Sequence, residues 1–150
     1  MKVLKKWLVL SLILFLPALL TACERELSAA ESKMAVAIIE PKVDNFFRGL
    51  AEDDYSRFSN GFDAYMLDSI PEDEFSAFRQ DLNTHLGGYL SREVHRAVQS
   101  DEFYVVEYDV RFERERSINF GVAFHRAEPN TISHIWIETD QNSWAPEPES

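Results

Sequence analysis

Apolar residues change their spacing partway along this chain. After an apolar run at the start, Val36, Ile39, Val43, Phe46/Phe47 and Leu50 recur every three to four residues. That period is the buried stripe of a helix. Ser28 sits before it with Glu31 three residues on, a capping-box pattern that places the helix start at Ser28. Pro41 falls inside the stripe and predicts a kink or a split. Gly49 and Glu52-Asp53-Asp54 mark the end. Asp54 can cap a short helix holding Tyr55 and Phe58, and Asn60-Gly61 reads as a turn. Phe62, Tyr65, Met66 and Ile70 suggest another short helical piece. Ser69-Ile70-Pro71-Glu72-Asp73-Glu74 opens a clearer helix, with proline early and acids where the dipole favours them. Phe75, Phe78, Leu82 and His85/Leu86 form its core face, and Gly87-Gly88 stops it.

From Leu90 the period becomes two. Strands are expected over 90–99, 103–114, 116–126 and 131–139, the last after an Ala127-Glu128-Pro129-Asn130 turn. Helices followed by a meander predict an α+β fold, with the N-terminal helices packed on a curved four-stranded antiparallel sheet. One face collects Tyr104, Val106, Tyr108, Val110 and Phe112, then Ile118, Phe120, Val122 and Phe124, then Ile135 and Ile137. Pairing 112 with 118 and 124 with 135 sets apolar residues against one another throughout. In those registers the other face reads in rows. Val105 lies beside His125 and His134, Glu107 beside Ala123 and Trp136, Asp109 beside Gly121 and Glu138, and Arg111 beside Asn119. A Trp next to Ala and Gly on an open sheet face reads either as a partner or dimer surface centred on Trp136 or as a single exposed aromatic covered by its neighbours or the tail.

The first 23 residues add an address. Lys2, Lys5 and Lys6 precede an apolar run from Leu8 to Leu20 that is shorter than the roughly 20 residues a spanning helix needs. Leu20-Thr21-Ala22-Cys23 closes it and holds the only cysteine. This resembles the lipobox of bacterial lipoproteins. The resemblance implies that residues 1–22 are a signal peptide and that Cys23 becomes the acylated (palmitate-bearing) N-terminus, with a short polar tether to residue 28. Glu24, rather than Asp, after the cysteine points to the outer membrane where the envelope has two.

Removing residues 1–22 takes three lysines and no acid, which leaves 12 basic against 26 acidic residues. That balance disfavours nucleic acid, which needs a basic footprint. It also disfavours adhesion to anionic lipid, so attachment falls to the acyl chains. One domain is expected over 29–140, with a disordered tail over 141–150.

The order of helix, Asp54-Tyr55 turn, Pro71-Glu72 helix, Gly87-Gly88-Tyr89 link and strands resembles the small bacterial domains of the nuclear transport factor 2-like superfamily, over roughly residues 33–139. The resemblance implies a cone-shaped α+β roll, with a curved sheet around the helices and a pocket at its open end. Enzymes of that superfamily carry an acid or His inside the cone. The inward strand positions here hold none, and Asp44 falls off the helical stripe. Inside, only Tyr104 and Tyr108 carry polar groups, with Tyr65 and Tyr89 candidates at the mouth. No catalytic residue, metal or cofactor is assigned. His125, His134 and Glu107 are the only candidate zinc ligands, on a face expected to be open. The reading is a lipid-anchored envelope protein with a non-catalytic domain that binds a small apolar ligand or a protein. Its alternatives are a small cyclase- or isomerase-like enzyme, and an inhibitor or immunity-type lipoprotein. Trp136, Glu107, Asp109, Arg111, His125 and His134 are the surface candidates.

Overall fold

Ser28 caps the first helix as its sequence predicts. Its Oγ accepts from the Glu31 N–H at 3.4 Å, and a Glu31 carboxylate oxygen accepts from the Ser28 N–H at 3.0 Å. The computed structural model describes residues 24–116, 118–139 and the backbone of 143–144. The leader, Cys23 and most of the tail lie outside them. Helix α1 (Ala29–Glu52) runs through Pro41 without a break. Proline removes one backbone donor, but Pro41 and Ala37, whose carbonyl loses it, are exposed and water can meet that carbonyl. Buried Ile39, Val43, Phe46, Phe47 and Leu50 hold both halves to the core. Gly49 does not end the helix. A Cβ there would sit 2.3 Å from the Phe58 backbone, so the residue admits a close crossing instead.

Helices α2 (Tyr55–Phe58) and α3 (Ala64–Ser69) are capped by Asp54 and Asp63, whose carboxylates accept from Arg57 and Met66 N–H groups. Helix α4 (Glu72–Leu86) ends at Gly87, which turns the chain with φ 79°. Phe75 and Leu86 are buried on it, whereas His85 is exposed.

The fold is α+β, and its strands lie in chain order in one antiparallel sheet: β1 (Arg25–Glu26), β2 (Tyr89–Gln99), β3 (Phe103–Phe112), β4 (Ile118–His125), β5 (His134–Glu138) and β6 (Ser143–Trp144). The four long strands are those expected. The two-residue edges are additions. Arg25 and Glu26, read as tether, pair with Gln99 and Val98, and Ser143-Trp144 pairs with β5. The expected faces hold, but both hairpins are shifted by two residues. Val110 faces Ile118, and Val122 faces Ile135. Other elements draw off the turn residues. Glu113 and Arg114 N–H groups donate to Gly88 and Leu86 carbonyls, and Ile132 bonds to Gly61 and Asp63 of the α2–α3 link.

The inner face packs on α1 through aromatic rings. Phe120 lies 5.2 Å from Phe46 and 5.0 Å from Phe47, and Phe46 continues to Phe58 and on to Phe75 of α4. Among the described residues no helix is long and apolar enough to cross a membrane.

Candidate functional site

One polar cluster interrupts the inner face. Register sets Arg92 of β2 opposite Val110 and therefore toward α1. One turn of α1 supplies Glu40 and Asp44. Arg92 donates to both carboxylates, to Asp44 at 2.6 Å, and to the Tyr89 hydroxyl at 3.0 Å. The fully buried Tyr108 hydroxyl donates to Glu40 at 2.9 Å. The guanidinium carbon lies 5.6 Å from the Phe47 ring and 5.8 Å from that of Tyr108. Two carboxylates and two rings thus accommodate a cation whose side chain is only 9% exposed. Its Nε is buried without a partner. Burial pushes the Arg92 pKa down, and the bonds to Asp44 and Glu40 outweigh it, so the net shift is upward. Burial, reinforced by the Glu40 charge, pushes the Tyr108 phenol well above its usual range.

This corrects the expectation of an interior free of acids. The strand positions hold none, but the helix supplies Glu40. The four tyrosines do not share one pocket. Tyr89 and Tyr108 join this cluster, and Tyr89 stacks on Phe47 at 4.3 Å. Tyr104 lies at the far end of β3 against Phe124, with Arg126 over its ring. Tyr65 meets the His134 ring at 5.1 Å.

The outer face is less open than its alternation implied. Glu107 is 7% exposed and takes a bidentate pair from Arg96, with both contacts at 2.8 Å. Glu107 faces Gly121, which in turn faces Trp136. The indole occupies the space over that glycine, where an added Cβ would come within 1.9 Å of the ring. Trp136 is half-buried, and Ala123 pairs with His134 rather than Trp136. Asp109 meets His95 Nδ1 at 3.0 Å, and Arg111 is exposed opposite Ser91.

His125 and His134 are not direct partners. His125 lies tilted against Phe103 at 4.3 Å, and His134 meets the same ring edge-on at 5.6 Å. Burial pushes the His134 pKa down, and His125 adds to this against an opposing pull from Asp63. Among the described residues no three His, Cys, Asp or Glu side chains group closely enough to hold a metal.

Sequence reasoning missed Glu40, Arg92 and Arg96. Glu40 and Asp44 are four apart on one helix flank, which is a legible signal. Irregular pairing of β2 at Leu90 and His95 hid its inward residues. No protein-family model matches the chain, and comparison with curated proteins and with solved structures returns no match.

Proposed function

We propose that this chain is a lipid-anchored protein of a bacterial cell envelope, acylated at Cys23 after removal of residues 1–22. The observation that carries the reading is Leu20-Thr21-Ala22-Cys23. Cysteine falls at the one place where such a signal requires it, behind a short apolar run and a basic start. Each buried methylene contributes about 0.8 kcal/mol, and more than one chain gives a stable anchor. In this reading the tether is shorter than the sequence implied, because β1 begins two residues after Cys23. The domain then stands close to the bilayer.

The domain itself is read as a nuclear transport factor 2-like roll that binds a ligand or a protein without catalysis. Large aromatic side chains fill its interior, and the inner carboxylate of Glu40 is held by Arg92 and Tyr108. One observation favours the enzyme alternative: Glu40 and the Tyr108 hydroxyl form a carboxylate–phenol pair on the inner face, a pairing suited to proton transfer. Mass spectrometry of the N-terminal peptide tests the anchor. The reading expects a triacylated or diacylated Cys23 with residues 1–22 gone. An unmodified Cys23, or a mature chain starting elsewhere, would overturn it.

A further inference from the structure

Among the described residues, four of the ten arginines in this acidic protein hydrogen-bond to carboxylates. Arg25, Arg57, Arg92 and Arg96 each donate to one within hydrogen-bond distance. Arg79 and Arg114 are among the six that do not. Arg79 Nε donates to the Leu50 carbonyl at 2.6 Å, closing the end of α1, and its Nη1 forms a longer ion pair with Asp53 at 3.6 Å. Arg114 Nη1 donates to the Thr84 carbonyl near the end of α4. Backbone carbonyls thus fix both guanidiniums, and among the described residues most of their N–H donors make no hydrogen bond.

Both arginines border one shallow, solvent-open depression. Its polar part runs along α4 past Ser76, Gln80 and Asn83. Arg79 and Asn83 also rim an adjoining cleft of about 210 Å³ lined by Leu50, Leu82, Tyr89 and Phe112. Gly87 and Gly88 close the cleft, and the Glu113 carboxylate beside them, which accepts from the Gly88 N–H at 3.0 Å, sets a negative charge at this end. The cleft is smaller than the roughly 300–1,000 Å³ of sites that take drug-sized ligands. It suits a short alkyl or aryl group, and the guanidinium fork suits a carboxylate.

We propose that this groove binds an amphipathic carboxylate, with its apolar end among Leu82, Tyr89 and Phe112 and its anionic end between Arg79 and Arg114. The inference rests on reading the domain as a binding domain and names the ligand class. It differs from a bare apolar ligand by its need for charge.

The test is photolabelling of the full-length chain in phosphatidylcholine nanodiscs with a diazirine-bearing hexanoate, followed by peptide mapping. Label is expected on segments 79–89 and 112–114, competed by hexanoate and much less by hexan-1-ol. Asn83→Asp places a negative charge on the shared rim of an exposed helix position. It should lower labelling about tenfold or more through like-charge repulsion. If that variant does not fold, Arg114→Gln serves the same purpose. Label spread elsewhere, equal competition by the alcohol, or undiminished labelling of a folded variant would each overturn the proposal. Acylation of Cys23 is read from the N-terminal peptide, so failure here leaves the anchor standing.

Discussion

Arginine meets carboxylate on both faces of this sheet, with different consequences. On the inner face Arg92 joins β2 to Glu40 and Asp44 of α1, 52 and 48 residues away. On the outer face Arg96 joins Glu107, its neighbour in a hairpin and 11 residues away. The inner arginine is buried and its acids are partly in water. The outer acid is buried and its arginine is half-exposed. The first pair ties helix to sheet, so it acts on the tertiary fold. The second closes a strand pair that backbone hydrogen bonds already hold, so it acts locally.

Breaking the inner cluster should therefore have the larger effect. Arg92→Ala leaves two neighbouring acids without their cation and removes packing on Phe47. It should lower the unfolding free energy by about 2–3 kcal/mol, below the roughly 3–5 kcal/mol of a fully buried pair because the acids keep some water. Urea denaturation read by circular dichroism measures it. Gly121→Ala comes next. The new methyl must lift Trp136 from the sheet, at about 1–2 kcal/mol by overpacking, with a red shift of tryptophan emission. Arg96→Ala strands Glu107 but, because the arginine that covers it is half-exposed, also opens that carboxylate to water; it should lower stability by about 1–2 kcal/mol without loosening α1. Amide exchange can separate the two faces: Arg92→Ala should speed exchange in α1, whereas Arg96→Ala should speed it only in β2 and β3.

A third pair, at the sheet edge, sharpens the gradient. Arg25 of β1 donates to Glu31 of α1, and that bond, then those from Ser28, lowers the Glu31 pKa to about 2. Both groups are exposed, so the contribution to stability is small. Its sign is fixed. A carboxyl depressed in the folded state stabilises above its ordinary value of about 4.3, and that contribution is lost as pH falls toward about 2. Carboxyl NMR should find the Glu31 midpoint near 2, and Arg25→Ala should return it toward its ordinary value.

These pairs also show what a sequence can disclose. The capping box at Ser28, the α1 stripe and both sheet faces follow from local spacing, and the structure has them. Register does not, because a shift of two residues keeps every side chain on its face, and periodicity cannot choose between the two pairings. The choice came from Glu113, Arg114 and Ile132 bonding outside their hairpins. Strand β1 was illegible because two residues carry no period. The Glu40–Arg92 contact was hidden for a different reason. It spans 52 residues, and the irregular pairing of β2 blurs which of its side chains point inward.

All of this places a folded domain directly behind Cys23, and the account stands or falls on that residue. The most direct measurement is fractionation of cells carrying the full chain or its Cys23→Ser variant, with membranes washed at alkaline pH. The account predicts that the parent stays with the washed membranes and the variant moves to the soluble fraction. A Cys23→Ser protein that remained in the washed membranes after losing residues 1–22 would contradict it.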